Sequence, residues 1–155
     1  MKAFFRGFVY AGRGVWFCLR HERNFRIHLV AAAAVLAIAP HFRLTRGEWA
    51  ALLLTLALVI GAEALNTAVE QAVDLASPAS HPKARAAKDA AAGAVLVCAV
   101  AAVGVAAALF SRPDGWAALW AWLLARPWGF AATGAAAALA VWFVLRGGAE
   151  DAPKP

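Results

Sequence analysis

Glu63-Ala-Leu-Asn66-Thr67-Ala-Val-Glu70-Gln-Ala-Val-Asp74 follows directly on an apolar run from Trp49 to Ala62. At about 100° per residue, Asn66, Glu70 and Asp74 fall at roughly −60°, −20° and +20° from Glu63, with Thr67 near +40°. All five polar side chains therefore share one narrow face of a helix whose preceding turns are greasy. A carboxylate at hydrocarbon depth costs at least about 2.5 kcal/mol and normally faces a bundle interior, a cavity or a cation. An acidic stripe at the end of an apolar run thus reads as an active site inside a membrane.

The rest of the chain supplies that membrane. Of 155 residues, 63% are hydrophobic and 15% charged, and the apolar positions form runs instead of a periodic stripe. That excludes a solvated face on a soluble Ala-rich helix and indicates a polytopic membrane protein. The runs are Ile27 to Pro40, Trp49 to Ala62, Ala90 to Phe110 and Trp128 to Leu145. Four spanning helices follow from them. The charged, patterned stretch before the first run is too long for the short leading region of a cleaved signal peptide, so cleavage is not expected.

Basic residues orient the spans. Lys2, Arg6, Arg13, Arg20, Arg23 and Arg26 precede the first, and Lys83, Arg85 and Lys88 lie between the second and third. Both regions are expected in the cytoplasm, with Arg43 and Arg46 in a short outer loop. The net charge of +6 is juxtamembrane, which matches anionic membrane lipids and gives no basic, aromatic platform for nucleic acid.

Residues 2 to 20 place Phe4, Phe5, Phe8, Val9, Val15, Trp16 and Leu19 opposite Lys2, Arg6, Arg13 and Arg20, the pattern of an interfacial amphipathic helix. Gly7, Gly12 and Gly14 lower helix propensity there and suggest close packing or bending. Between Pro113 and Pro127, Trp116, Trp120 and Trp122 mark an apolar segment too short to span, expected in the outer interface. From Gly147 a polar tail is expected to be disordered. Cys18 and Cys98 show no metal-ligand spacing and indicate neither a disulfide nor a zinc site.

The expected organisation is all-α: residues 1–112 form a membrane domain with an interfacial helix at 2–22 and spans near 27–42, 48–75 and 84–111. Residues 113–146 add the tryptophan segment and a fourth span, and 147–155 the tail.

Fourteen or so apolar residues before Glu63 cover roughly 21 Å of a ~30 Å hydrocarbon core. Glu63 then sits toward the cytoplasmic boundary, with Glu70 and Asp74 progressively closer to water. After the loop Leu75 to Pro82 come Lys83-Ala-Arg85-Ala-Ala-Lys88-Asp89 and the small residues Ala90 to Gly93, which permit close helix contact. Lys88 could neutralise a carboxylate or bind phosphate. Metal-assisted phosphoryl transfer uses every part of this set: carboxylates for Mg²⁺, a lysine for phosphate and one carboxylate beside a lipid hydroxyl. Glu22, just before the first span on the same side, is placed to supply a second metal carboxylate.

Three strings, Glu22-Arg-Asn24-Phe-Arg-Ile-His28, Glu63 to Asp74, and His81-Pro-Lys-Ala-Arg85-Ala-Ala-Lys88-Asp89 with the Ala-Ala-Ala-Gly-Ala-Val that follows, resemble in order and spacing the small integral-membrane lipid kinases of bacteria. This family comprises diacylglycerol kinase and undecaprenol kinase, and the resemblance covers roughly residues 4 to 110. It implies Glu63 as proton acceptor with Asn66 beside it, and Glu22 and Glu70 as ligands of the Mg²⁺ that accompanies ATP. Tyr10, Glu22, Glu70, His81, Lys88 and Asp89 are then nucleotide contacts. Trp16, Asn24, His28, Trp49 and Glu63 are lipid contacts, and Asp74 and Arg85 are supporting groups.

The resemblance further implies a homotrimer with active sites shared between chains, in the bacterial inner membrane, with the amino terminus and the site cytoplasmic. The Glu22 to His28 string and Asn66-Thr67 resemble the undecaprenol kinase branch more closely than the diacylglycerol kinase branch. The addition after Phe110 departs from the family pattern. A proton-coupled transporter is the alternative from another class, and ATP binding would separate the two.

Overall fold

In the computed structural model, residues 2–77, 81–126 and 128–146 are described, and all regular structure among them is helical. The helices are α1 (Lys2–His21), α2 (Arg23–Ile38), α3 (Arg46–Ala76), α4 (Pro82–Phe110), α5 (Pro113–Leu124) and α6 (Gly129–Arg146), with a 3₁₀ turn, Ala39–Phe42, after α2. The tail 147–155 and its expected disorder lie outside the described residues, as do 78–80 of the α3–α4 loop.

Local chemistry sets most boundaries. Pro40 stops α2 and forces the 3₁₀ turn, and Arg43 then takes a left-handed conformation, φ 48°, that reverses the chain. Thr45 and Glu48 open α3 with a reciprocal capping box: the Thr45 hydroxyl accepts from Glu48 N at 3.3 Å, and Thr45 N donates to Glu48 Oε2 at 2.8 Å. Proline occupies the first turn of both α4 and α5, where its missing N–H costs nothing.

Four segments are long and apolar enough to cross a membrane: Arg23–Phe42, Arg46–Ala76, Pro82–Phe110 and Gly129–Arg146. The 31 residues of α3 reach about 46 Å, well beyond a ~30 Å core, so its last turns leave the hydrocarbon. Leu53, Leu54, Leu58, Leu96, Val97 and Val100 are exposed, the outward apolar surface that lipid would cover. The helix carrying the first expected span, 27–42, starts ahead of it, at Arg23.

α3 is the central element. It packs along α4 over most of its length and also receives α2, while α2 and α4 make little contact with each other. At one end, Ala39, Phe42, Leu52, Leu109 and Phe110 form a buried apolar cluster. Arg112, at the start of α5, bridges the same end by an ion pair to Glu48 and a hydrogen bond to Phe42 O at 3.3 Å. α5 then lies against the 3₁₀ turn, with the Trp116 indole donating to Phe110 O at 2.8 Å. α6 returns along α2, only Gly129 being buried and Ala140, Phe143 and Val144 half-buried.

α1 contacts the bundle only toward its carboxy-terminal end. Residues 4–17 are exposed, Cys18 is buried, and α1 touches α2 and α3. The helix runs unbroken through Gly7, Gly12 and Gly14, and within this chain a Cβ added at any of the three would meet nothing within 4 Å. A membrane interface covering its hydrophobic face would hold such a helix despite its glycines. Arg26 also departs from expectation. Counted above among the basic residues that precede the first span, it is 2% exposed, with Nη1 donating to the carbonyls of Leu19 at 3.3 Å and Arg20 at 3.0 Å. It clamps the negative end of the α1 dipole to α2.

Candidate active site

The polar face of α3 grades from buried to exposed. Glu63 is 3% exposed and Thr67 is buried, Asn66 and Glu70 are half-buried, and Asp74 is exposed. The Thr67 hydroxyl donates back to Glu63 O at 3.1 Å, which satisfies it without consuming the Glu63 carboxylate. One turn on, Asn66 Nδ2 donates to Glu70 Oε1 at 2.8 Å and fixes that carboxylate's orientation. Asn66 Oδ1 is buried without a partner among the described residues, so an acceptor is left facing the interior of the site.

The junction of α1 and α2 closes over this face. Cys18 lies within hydrogen-bond reach of Thr67 and feels the charges of Glu22 and Glu63. Burial pushes the Cys18 thiol above its ordinary range. Glu22 is the half-buried residue preceding α2. From α2, His28 acts electrostatically on Glu63, as does Glu70 from α3 itself. Three separated stretches of sequence thus converge: Cys18 and Glu22, His28, and Glu63 to Glu70.

The second group of expected residues surrounds the start of α4. His81 caps the helix, its Nδ1 accepting from Lys83 N at 3.1 Å. Lys88 reaches back across the loop to Asp74 Oδ1 at 2.5 Å, so its partner in the free chain is Asp74 and not the Glu70 carboxylate. Arg85 stands 3.9 Å from Asp89, both exposed. These cations and the acidic face therefore meet at the water-side end of the α3–α4 pair.

The outlying residues separate by position. Tyr10 and Trp16 are exposed on α1, stacked under Arg13 and Arg20 with guanidinium-to-ring distances of 5.9 Å and 5.3 Å. Asn24 is exposed at the start of α2. Trp49 packs on the apolar cluster at the opposite end of α3, about 21 Å along the axis from Glu63. No group of three or more His, Cys, Asp or Glu side chains suited to a metal is formed among the described residues. Cys18 and Arg26 were not among the expected site residues. Nothing distinguishes Arg26 in sequence from the basic residues around it.

Four apolar helices long enough to span, one carrying a buried carboxylate, with cations at the exposed end of the same helix pair, define a helical membrane protein with a polar site inside its bundle. Residues 9–110 match the model of the family described as prokaryotic diacylglycerol kinase. The chain belongs to that family and is a membrane lipid kinase. It is 49% identical over 100 residues to the undecaprenol kinase of Bacillus subtilis, covering 64% of this chain and 81% of that one. To a diacylglycerol kinase of Synechocystis sp. it is 46% identical over 107 residues, covering 68% and 61% of the two chains. A diacylglycerol kinase of Helicobacter pylori is 30% identical over 96 residues, covering 62% and 75%. No solved structure matches. The family match ends with α4, so α5 and α6 lie outside it.

Proposed function

We propose that this kinase transfers the γ-phosphoryl group of MgATP to the hydroxyl of undecaprenol at the cytoplasmic face of the bacterial inner membrane. The observation that carries the reading is Glu63, 3% exposed yet next to a polar face that runs out to water. Such a carboxylate is placed to receive a proton from an alcohol presented at the membrane boundary. The lipid oxygen bonds to the γ-phosphorus as its proton passes to Glu63, the bond from that phosphorus to the β–γ bridging oxygen breaks, and ADP leaves.

Glu22 and Glu70 would hold Mg²⁺, and their oxygens are the donors that ion takes, one or two carboxylates with phosphate oxygens completing the shell. Bound there, the ion would neutralise charge on the transferring phosphates. Asn66 orients Glu70 toward that task. Lys88, exchanging its contact with Asp74 for a phosphate, would position the nucleotide together with Tyr10, His81 and Asp89. Asn24, His28, Trp16 and Trp49 would contact lipid, and Arg85 and Asp74 would support the cation cluster. In this reading residues 1–112 form the kinase domain, and the active form is a homotrimer whose chains share sites.

Diacylglycerol is the second reading, favoured by the relative of that name at 46% identity. Transfer of labelled phosphate from ATP to undecaprenol and to diacylglycerol, in parallel mixed-micelle assays with Mg²⁺, decides between them. Preference for undecaprenol supports the first reading and preference for diacylglycerol the second. Glu63→Gln should abolish turnover while ATP still binds, and loss of binding instead would overturn the division of roles.

A further inference from the structure

Because α2 and α4 both lean on α3 with little contact between them, a gap of about 280 Å³ remains over α3. Leu56, Val59 and Ile60 form its floor, and Ala32 on one wall faces Ala102 and Ala106 on the other. Alanine at these wall positions is what leaves the space. The lining has only two polar side chains, His28 and Thr55. The Thr55 hydroxyl is spent on Ala51 O at 2.7 Å, so along most of its length the groove offers nothing to a polar ligand.

The two ends differ. Toward the site the groove finishes at His28 and Ile60. Glu63 lies one turn further along α3, and His28 acts on its charge. At the other end Leu52, Val35 and Ala106 line the groove and also belong to or pack against the cluster around Phe42 and Phe110. Those two rings meet edge to face with centroids 4.8 Å apart. Gly115 of α5 sits directly behind the Phe42 ring, and Trp116 meets that ring edge to face at 5.2 Å. The groove thus ends one turn short of Glu63 on one side and, on the other, at Val35, Leu52 and Ala106, behind which lies the Phe42–Phe110 pair that α5 buttresses.

We propose that this groove holds the head-proximal hydrocarbon segment of the lipid alcohol, and that the Phe42–Phe110 pair sets how far the chain can run inside the protein. The proposal rests on the lipid kinase reading and names the element that recognises the tail. From Ile60 to Leu52 the floor measures about 12 Å. The volume falls just below the ~300–1,000 Å³ usual for small-molecule sites. The groove therefore accepts the first part of a long chain, and the remainder leaves between α2 and α4 into the bilayer. Selection acts on the width of that first segment, set by Ala32, Ala102 and Ala106.

Two measurements on the full chain test this. A lipid alcohol with a photoreactive diazirine in the head-proximal part of its tail should label Leu56 to Ile60 and Ala99 to Ala106 of the unmodified protein. Ala102→Phe should raise the KM for the long-chain alcohol by about tenfold or more, the scale of one misfitted group in an apolar pocket, with the KM for ATP unmoved. Ala102→Val, a smaller intrusion, should give an intermediate KM. Label confined to the outward residues Leu53, Leu58, Val97 and Val100 overturns the proposal while leaving the kinase reading intact. So does an unchanged lipid KM in a folded Ala102→Phe protein. If the unmodified protein phosphorylates no lipid alcohol, the proposed function falls and the groove assignment with it.

Discussion

Lys88 Nζ lies 2.5 Å from Asp74 Oδ1, tying the second turn of α4 to the end of α3 across their connecting loop. The Asp74 side chain is 62% exposed and that of Lys88 35%, so water screens the pair and it contributes at most about 1 kcal/mol to stability. A residue with so little structural weight can be released to a phosphate at small cost.

The two partners should therefore respond differently to neutralisation. Asp74→Asn should leave thermal stability nearly unchanged and lower the KM for ATP or leave it alone, because Lys88 is freed. Lys88→Met should raise that KM by about tenfold or more, the worth of a hydrogen bond to a charged group. Steady-state kinetics with ATP varied checks both. Equal losses in the two variants would make the pair structural.

Asn66 holds Glu70 through one hydrogen bond and keeps a buried, unpartnered oxygen. Asn66→Ala removes both features without adding volume or charge. Turnover should fall by about tenfold or more, with an increased Mg²⁺ requirement if Glu70 is a metal ligand. Thermal stability should stay within about 1 kcal/mol of the parent, because a half-buried partner can turn to water. Initial rates across a Mg²⁺ titration, with a melting curve in the same detergent, test this.

The spans and the acidic face were legible because each is a local property of the chain. An apolar run and a 3.6-residue period survive whatever surrounds them, and the grading from buried Glu63 to exposed Asp74 follows from where on α3 each residue falls. What stayed hidden was tertiary. Arg26 is buried because α1 ends above it and offers the carbonyls of Leu19 and Arg20. In sequence it is one of several basic residues beside a span. The Glu48–Arg112 ion pair joins residues 64 apart, and no spacing announces it. Cys18 lies beside Thr67 only because α1 folds back on α3, a contact that no spacing in the sequence announces.

Gly115 should accept a side chain only at a cost in stability. A Cβ built on it would overlap the Phe42 ring, and that ring is fixed from its other sides by Phe110 and Trp116. Gly115→Ala should destabilise the protein by about 1–3 kcal/mol, the usual cost of overpacking. The lowered melting temperature should come without a change in the KM for ATP, since Gly115 lies at the end of the bundle away from Lys88. Differential scanning fluorimetry and nucleotide kinetics below the new melting point test the two halves separately.

The Cys18 thiol should behave as a buried, protonated group whose state couples folding to alkaline pH. Burial holds its pKa above the ordinary value, so the thiolate that reacts with maleimide is scarce. In a Cys98→Ala background, labelling should be slow near neutrality and rise only at a pH above that of a free thiol, about 8.5. The sign for stability follows from the same shift. Above the ordinary thiol pKa the unfolded chain loses its proton while the folded chain keeps it, so the folded state binds more protons and stability falls as pH rises. The stabilising contribution is complete below that pKa and is lost through the range up to the folded value. Cys18→Ala should remove this part of the alkaline loss and leave the rest of the stability profile in place. Thermal melts of the two proteins from neutral pH to above pH 9 test this, and parallel curves would show that Cys18 does not titrate with folding.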